Sequence, residues 1–415
     1  MDDLGLIGLD VLSAREVVGG KGRSLQLLAG AGVPVPPACI VPIGYPASPE
    51  AAGRIAREAL ARLGAPVSVR SSGAVSMPGM MQTVLGLSLE SEVAEAIERV
   101  WDSWDSEEAR AYRRRWGISG KGTAVVIQRM VDGAKDERSG TGVAFSADQR
   151  GRLRLNGEWL PVARGDDLVS GRTQPRPLDE LEPRVLAELG RYVRTAERLY
   201  RDAVDVEFTV EAGTLWVLQA RPQRHTPDIA IRVIAALSRR RTITPREAAG
   251  RAAAVRGPIA PRLLAQGQAP IAQGVGASPG VCSGLVCTSP AALASARGLG
   301  QSTVYVVEHA SPDLYAGYLA ADAIVARTGG LTCHAAVAAR ELGRPCVVGV
   351  GRASLRGVVT VDGSTGRVYR GALPASAPDL SVFRTLRRWA GGWAASAAEF
   401  RDRLRGEDHG PEGGR

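Results

Sequence analysis

The amino-acid sequence predicts a multidomain protein in which an α+β region is followed by an α/β region. Apolar runs of strand length alternate with helical stretches through most of the 415 residues. Two of these runs, residues 206–210 and 215–220, are joined by a short turn segment, a pattern typical of a β-hairpin. A chain of this length can hold two or three domains, each with its own hydrophobic core.

The first predicted domain covers residues 1–225. Its strands are expected at residues 67–69, 124–128, 142–145, 206–210 and 215–220. Its helices are expected at residues 23–31, 49–63, 91–115 and 178–201. This mixture of strands and helices predicts an α+β domain.

Two further segments follow. Residues 226–268 are rich in Arg and Ala, contain Pro258 and Pro261, and are interpreted as a helical connector. Residues 269–374 again alternate strands and helices, which predicts a compact α/β domain of ordinary size. Its strands are expected at residues 285–287, 303–307, 323–326, 346–348 and 358–361.

The last segment, residues 375–415, is expected to hold a helix and a tail rich in Gly, Pro and acidic residues. Phe383, Trp389 and Trp393 give this helix three large apolar side chains. They could pack on the same chain, form the seam of a homodimer or bind a partner protein.

Composition excludes several classes of protein. Hydrophobic residues make up 45% and charged residues 23% of the chain, the usual balance for a globular protein. No stretch approaches the roughly 18 apolar residues of a membrane span, and no secretory signal is expected from the acidic start. The five cysteines form no C-x-x-C pair. The protein is therefore expected in the reducing cytoplasm, without disulfides and without a membrane partner.

The net charge of +9 does not by itself indicate nucleic-acid binding. The basic residues are nearly all arginine and are scattered along the chain. Aromatic residues make up 5% of the sequence and do not alternate with the arginines, as a base-stacking surface would require. No nucleic-acid partner is therefore expected.

Residues 328–340, Thr-Gly-Gly-Leu-Thr-Cys-His-Ala-Ala-Val-Ala-Ala-Arg, form the most specific motif. His334 follows a Gly-Gly turn among small residues, so bulky neighbours do not cover its imidazole. A helix that began near His334 would direct backbone amides and a favourable dipole toward a phosphate. Arg340 could pair with phosphate oxygens from the same helix. A lone histidine in an apolar helix is usually structural, and these features by themselves leave that interpretation open beside a phosphoryl carrier.

Two motifs in the first domain suit a phosphate ligand. Gly19-Gly20-Lys21-Gly22 combines close backbone approach with a positive charge, although it lacks the P-loop spacing. Arg70 ends a predicted strand and precedes a loop with the sequence Ser-Met-Pro-Gly-Met-Met. Such a loop could close over a triphosphate, as lids do. Either motif alone is also consistent with an ordinary surface turn.

The predicted hairpin carries polar residues in alternation. Asp205 and Glu207 share one face of their strand, as do Gln219 and Arg221 on the next strand. Carboxylate and amide oxygens there could hold Mg²⁺, while the arginine could contact phosphate oxygens. Taken alone, the pattern also fits a polar hairpin face without a ligand.

Together, and in the same order, these motifs resemble those of the pyruvate phosphate dikinase and phosphoenolpyruvate synthase family. The Ser-Met-Pro-Gly-Met-Met loop is more similar to the dikinase, whereas Cys333 is more similar to the synthase. Strings that also resemble the family lie at residues 139–145, 157–160, 165–171 and 341–349. Gln82 and Arg164 depart from it, because the family usually has an acidic residue and a glutamine there. The resemblance implies an ATP-grasp nucleotide-binding domain, a swivelling phosphohistidine domain and a C-terminal linker-like helix.

The resemblance also implies a nucleotide site with ATP and Mg²⁺ as cofactors. Lys21 and Arg70 would contact the ATP phosphates, and Asp205 would belong to the same site. Three residues of one segment would pass near the adenine, namely Gln128, Met130 and Val131.

The same resemblance implies a metal site and a catalytic group. Glu207 and Gln219 would hold Mg²⁺, and Arg221 would stabilise the transferring group. By the same resemblance, Thr332 occupies a position that such enzymes can use for regulatory phosphorylation. The residues expected to take part in catalysis are His334, Arg221, Arg340 and Thr332.

In the full-length dikinase, a barrel that binds pyruvate or phosphoenolpyruvate follows the mobile domain. The residues after 374 are too few for such a barrel, which needs roughly 200. The chain is therefore expected to perform the donor half-reaction, in which ATP yields AMP and the β-phosphate ends on His334. The acceptor would be a small molecule or pyruvate on a separate barrel protein. A kinase of a specialised metabolite and a non-catalytic ATP-binding regulator are the alternatives.

Overall fold

The structure, a computed structural model, describes residues 5–376 apart from 76, 78–80, 166, 168–172, 256–261 and 265–266. Its helices in this part of the chain are α1 (Arg15–Gly30), α2 (Pro49–Leu63), α3 (Glu90–Ser103), α4 (Glu107–Trp116), α5 (Pro183–Tyr200), α6 (Pro227–Arg239), α7 (Pro245–Ala254), α8 (Pro290–Gly298), α9 (Tyr315–Ala320) and α10 (His334–Leu342).

The strands assigned in the same residues form sheets of four, five and eight strands and one two-stranded ribbon. In chain order they are β1 (Ala38–Val41), β2 (Val67–Ser72), β3 (Thr83–Leu87), β4 (Ala124–Arg129), β5 (Gly140–Ala147), β6 (Leu153–Pro161), β7 (Arg176–Pro177), β8 (Val204–Glu211), β9 (Thr214–Pro222), β10 (Arg262–Leu263), β11 (Ala272–Gln273), β12 (Val275–Ser278), β13 (Val281–Cys287), β14 (Thr303–Val307), β15 (Ala323–Ala326), β16 (Cys346–Val348), β17 (Val358–Asp362), β18 (Arg367–Arg370) and β19 (Ala375–Ser376).

The four-stranded sheet has the order β1-β4-β2-β3, and its neighbouring strands are all antiparallel. Successive side chains of a strand point to opposite faces, so each strand contributes to two apolar layers. Val67, Val69 and Ile127 pack with α2 and α3 on one face. Ile40 and Val126 pack with α1 on the other face. Burial on both faces explains why the strands read as nearly continuous apolar runs.

The five-stranded sheet has the order β7-β6-β5-β8-β9, and α5 packs on one of its faces. Strands β8 and β9 form the predicted hairpin. Helix α1 joins this sheet to the four-stranded sheet. The Ser24 hydroxyl of α1 donates to the Ala220 carbonyl of β9 at 2.7 Å and accepts from the Ala220 amide at 2.9 Å. The motif around Lys21 is thereby held close to the hairpin.

The eight-stranded sheet has the order β11-β18-β17-β13-β14-β15-β16-β12. Strands β13 to β16 are parallel to their neighbours within this run, and helices α8 to α10 pack on one face. Helix α10 follows the loop at the carboxyl end of β15, where loops of parallel sheets commonly bind ligands. The strands predicted for residues 303–307, 323–326 and 346–348 are confirmed with these bounds.

One predicted helix, residues 91–115, is in fact two helices. Residues Trp104 to Ser106 interrupt it, and the Ser106 hydroxyl begins α4 by accepting a hydrogen bond from the Ala109 amide at 3.1 Å. A serine in this position favours a helix start over a helix interior because its hydroxyl satisfies a free backbone amide. The periodicity of apolar residues continues across the break and therefore does not reveal it.

Two other helices begin elsewhere than predicted. The helix expected at residues 178–201 begins at Pro183, because residues 178–180 form a separate 3-10 turn. Proline is favoured in the first helical turn, where its missing amide costs no hydrogen bond. The helix expected at residues 23–31 starts earlier, because α1 runs from Arg15 with a kink at Gly19, and the Gly-Gly-Lys-Gly motif lies at and just after this kink.

Residues 226–268, the predicted connector, contain α6 and α7. These helices pack in one apolar cluster with Ala147 of β5 and Leu153 of β6. The domain boundaries remain predictions. The predicted terminal helix with its three aromatic residues lies outside the described residues. No helix in the described part of the chain has the length and hydropathy that crossing a bilayer requires.

Gly19 generates a prediction about stability. It breaks the geometry of α1 with a φ of 69°, and a β-carbon there would lie 1.7 Å from the Ser72 carbonyl oxygen. We expect Gly19→Ala to lower the free energy of unfolding by about 2 kcal/mol or more. In the control Gly53→Ala the added β-carbon has no neighbour within 4 Å, so the helix should gain up to about 1 kcal/mol. Chemical denaturation of both variants tests this, and equal changes would contradict it.

Candidate active site

The candidate nucleotide site lies between α1, β2 and the β8–β9 hairpin. Lys21 of α1 lies against β2, and its Nζ donates to the Ser71 carbonyl oxygen at 2.9 Å. Arg70 of β2 reaches the hairpin, where its Nη2 lies 3.0 Å from Glu207 Oε2. Its Nη1 donates to the Leu218 carbonyl at 3.3 Å. The fold thus assembles residues from three distant parts of the chain, as the sequence predicted for Lys21, Arg70 and Glu207.

The surroundings of Lys21 lower its pKa to about 7. Burial is the largest cause, because it penalises the charged ammonium group. The positive charges of Arg70 and Arg221 lower the pKa further, and Glu207 opposes them. An anion bound beside Lys21 would restore its full charge, so the site favours anionic ligands.

Glu207 and Gln219 face each other as partners on β8 and β9. Burial opposes ionisation of Glu207, but Arg70, Arg221 and Lys21 outweigh it and lower the pKa of the carboxyl group. Gln219 Oε1 is buried and has no hydrogen-bond donor among the described residues. The hairpin thus presents an ionised carboxylate beside an amide oxygen that lacks a donor, and a hard cation binds such oxygens.

Asp205 holds Arg221, its partner across the hairpin. The Arg221 Nε lies 2.8 Å from Oδ1 and 2.9 Å from Oδ2 of this carboxylate. Burial raises the pKa of Asp205, and the charge of Arg221 opposes the shift. In this structure Asp205 therefore orients the guanidinium, and its predicted contact with nucleotide stays a prediction.

The segment predicted to pass near the adenine lies at the end of β4. Gln128 Nε2 donates to the Pro36 carbonyl at 3.1 Å, so this buried side chain is engaged within the protein. The Met130 amide donates to the Pro66 carbonyl at 2.9 Å, and Val131 is buried. Contact of these residues with a base stays a prediction.

Two of the strings that resemble the family fall largely outside the described residues. Of the Ser-Met-Pro-Gly-Met-Met loop, only Met77 and Met81 are described, and Met77 is buried in an apolar cluster. The string at residues 165–171 is described at only two positions. Arg164, just before it, forms an ion pair with Asp132 at 3.2 Å.

His334 is the first residue of α10, so the predicted helix start is confirmed. Arg340 holds the loop that precedes it. Arg340 Nη1 donates to the Ala277 carbonyl at 3.0 Å, and Nη2 donates to the Leu331 carbonyl at 2.9 Å. The sequence predicted contact between Arg340 and phosphate, whereas here its terminal nitrogens position the histidine loop. Its catalytic role stays a prediction.

Glu158 of β6 docks the histidine loop onto the five-stranded sheet. Its carboxylate accepts from the Leu331 amide at 2.7 Å, the Thr332 amide at 2.9 Å and the Thr332 hydroxyl at 2.6 Å. Burial raises the pKa of Glu158, and these hydrogen bonds oppose that shift. A β-carbon on Gly330 would lie 2.1 Å from Glu158 Oε2, so only glycine permits this approach. No role for Glu158 follows from the sequence, where its only signal is the family-like string around it.

The histidine helix and the hairpin also influence each other electrostatically. Glu341 of α10 is among the charges that raise the pKa of Arg221. Burial lowers the pKa of Arg340. The negative charge of Asp205 opposes this shift, and the positive charge of Arg221 adds to it. The charges of the helix that begins at His334 and those of the candidate nucleotide site are therefore close enough to influence each other.

Models of known protein families match both halves of the chain. Residues 49–178 and 165–241 match the model of the pyruvate phosphate dikinase AMP/ATP-binding domain. Residues 299–366 match the model of the mobile domain of PEP-utilising enzymes.

Curated relatives lead to the same family. The pyruvate, phosphate dikinase of Rhizobium meliloti (strain 1021) is 34% identical over 75% of this chain and 39% of the relative. The enzyme of that name from Clostridium symbiosum is 33% identical over 71% of this chain and 37% of its own length. The chloroplastic dikinase 1 of Arabidopsis thaliana is 35% identical over 71% of this chain and 33% of its own length.

Among solved structures, a D-alanyl-alanine synthetase A from Vibrio cholerae O1 biovar eltor matches 50% of this chain and 55% of its own. Its sequence identity to this chain is 15% and the TM-score is 0.31.

This chain thus spans 33–39% of the length of these three curated relatives. Within that span the two domains occur in the predicted order, an ATP-grasp domain followed by a phosphohistidine-type mobile domain. The chain therefore belongs to the pyruvate phosphate dikinase family.

Proposed function

We propose that this chain is an ATP-dependent phosphotransferase in which His334 accepts a phosphoryl group from ATP and passes it to an acceptor. The docking of the His334 loop by Glu158 is the observation that carries this proposal. A phosphoryl carrier must meet its donor directly, and the docked loop lies on the sheet that bears the candidate nucleotide site.

Lys21, Arg70 and Arg221 would bind the phosphates of ATP. Phosphoryl transfer needs little covalent chemistry from the protein, so positioning and positive charge supply most of the catalysis. The three side chains come from α1, β2 and β9, which fix them around one carboxylate, Glu207. A polyphosphate would add the negative charge that this group of cations lacks.

Glu207 and Gln219 would hold Mg²⁺. Their oxygens suit a hard cation, and Gln219 Oε1 has no hydrogen-bond donor in the described part of the chain. The described part of the chain contains no cluster of three or more His, Cys, Asp or Glu side chains that could hold a metal ion. Mg²⁺ in such sites takes its other ligands from phosphates and water, and it neutralises charge that develops during transfer.

His334 would act as the nucleophile through a neutral imidazole nitrogen. A nitrogen–phosphorus bond would form to the β-phosphorus as its bond to the bridging oxygen of the α-phosphate breaks, which releases AMP and leaves a pyrophosphoryl group on His334. The terminal phosphoryl group would then pass to inorganic phosphate or water as the β–γ bridging bond breaks, which leaves the β-phosphoryl group on the nitrogen. The curated relatives are named for pyruvate and phosphate. The acceptor here would be pyruvate on a separate barrel protein or another small molecule, reached when the mobile domain undocks.

Thr332 would be accessible to regulatory phosphorylation only in the undocked state. Its side chain is buried in the docked structure, and its hydroxyl donates to Glu158. A phosphate on Thr332 would place like charges against each other at this contact and would oppose docking.

The central prediction concerns a covalent adduct on His334. Intact-protein mass spectrometry after incubation with Mg²⁺ and ATP, with and without inorganic phosphate, should show an acid-labile phosphate adduct together with AMP. His334→Ala should abolish the adduct completely. The control His309→Ala removes an exposed histidine that bonds to Thr328 and should leave the adduct intact. Tight ATP binding without any adduct would refute the proposal and favour a regulatory role.

A second prediction follows from the pKa of Lys21, which is about 7 in the unliganded site. Bound phosphates raise this pKa, so ATP binding above pH 7 should take up a proton. The affinity for ATP should therefore fall between pH 7.5 and 9, by up to about tenfold per pH unit. Titration calorimetry in two buffers with different ionisation enthalpies measures both the proton uptake and the affinity for ATP. Lys21→Arg, which stays charged, should show no such dependence, and a flat profile in the unmodified protein would contradict the assignment.

A further inference from the structure

We propose that Glu341 is a positioning residue for the helix that carries His334. Arg224 forms an ion pair with the carboxylate of Glu341, and Tyr112 lies beside it. These two residues lie outside the mobile domain and thereby fix the carboxyl-terminal half of α10. This inference rests on the proposed transfer of phosphoryl to His334. It concerns three residues to which neither the sequence motifs nor the family comparisons assign a role.

Glu341 forms an ion pair that joins α10 to the end of the hairpin. It lies two turns after His334, and its side chain is only 2% exposed. Its Oε1 lies 3.1 Å from Nη1 of Arg224, which follows β9 directly. The pair therefore connects the histidine helix to the strand that bears Gln219 and Arg221.

Tyr112 of α4 adjoins the same carboxylate. It is 5% exposed, and burial followed by the charge of Glu341 raises the pKa of its hydroxyl. Its ring also lies 6.1 Å from the ring of Tyr315 in α9. Glu341 thus lies near two segments of the nucleotide-binding half that are far apart in sequence. One is α4, which precedes β4, and the other is the segment with Arg224, which follows β9.

The ionisation of the Glu341 carboxyl group is favoured by the positive charge of Arg224. Burial raises the pKa of Glu341, and Arg224 is the largest influence that opposes this shift. Neither carboxylate oxygen has a well-aligned hydrogen bond within the described residues, so the interaction is chiefly between charges. Loss of Arg224 would leave a buried carboxylate without its ion-pair partner, which weakens an interface more than the intact pair strengthens it.

Two contacts at different points along the helix determine its direction. Glu158 holds the loop just before His334, and Glu341 lies about 10 Å along the helix from that histidine. Helix α10 packs on the sheet of its own domain, so a single contact would allow that domain, together with the helix, to pivot around the docked loop. The second contact restricts this rotation and so keeps the imidazole in line with the phosphorus, a geometry on which transfer rates depend steeply.

Arg224, Tyr112 and Glu341 contribute no group to the phosphate-binding cations. Their loss should therefore slow transfer without weakening ATP binding. This separation distinguishes a positioning role from a general contribution to folding, which would affect thermal stability and ATP affinity together.

The test is a double-mutant cycle on single-turnover formation of the His334 adduct. Glu341→Gln and Arg224→Gln should each lower the rate at saturating ATP by about tenfold or more. The double variant should be no slower than the slower single variant, because both changes remove one interaction. Arg224→Lys should keep most of the rate. The ATP dissociation constant should stay within about twofold throughout, and Tyr112→Phe should give a smaller decrease in rate.

The control is Arg57→Gln, which breaks the exposed Arg57–Glu90 ion pair, 2.8 Å long and remote from the mobile domain. It should leave the transfer rate unchanged. Additive losses in the cycle, or an ATP affinity that falls in parallel with the rate, would overturn the proposal.

Hydrogen exchange separates this inference from the proposed function. In Arg224→Gln and Glu341→Gln, but not in Arg57→Gln, amides of residues 334–342 and 107–116 should exchange faster. If the unmodified protein forms no adduct, the proposed function fails, and exchange alone then decides whether Glu341 docks the helix. Unchanged exchange in both variants would refute the docking role.

Discussion

The carboxylate of Glu158 is the contact on which the arrangement of this protein depends. A side chain of the five-stranded sheet satisfies two backbone amides and one hydroxyl of the mobile domain. Burying a carboxylate is costly unless such donors surround it, so the contact is specific for one loop conformation. Arg340 supports the same loop from within its own domain through the Leu331 carbonyl. The position of His334 therefore depends on both domains.

The nucleotide site has the opposite electrostatic character. Three cations, Lys21, Arg70 and Arg221, surround Glu207, and their mutual repulsion is relieved only in part by that carboxylate. Such a site is pre-organised for an anion, because the protein has already paid the cost of bringing the cations together. An acidic group docks the His334 loop and basic groups surround the candidate nucleotide site, so the two neighbouring surfaces carry opposite charges.

The sequence predicted those elements of the fold that depend on residues close together in the chain. The hairpin, with the face that bears Asp205 and Glu207, follows from alternation around a short turn, and the start of α10 follows from the Gly-Gly turn before His334. The contact between Glu158 and Thr332 joins residues 174 positions apart, and no spacing in the sequence encodes it. The hydrogen bonds from Arg340 to backbone carbonyl oxygens could not be predicted either, because they depend on how the loop before His334 folds back.

The glycine at position 330 has an evolutionary consequence. No unusual backbone angle at Gly330 requires glycine, yet a β-carbon there would collide with Glu158. The identity of this residue is thus set by a different domain from the one that contains it. A lineage in which the two domains ceased to meet would lose that restriction, and alanine or serine could then accumulate at this position without harm to the mobile domain itself. Substitution at position 330 would in this way record the loss of contact between the domains.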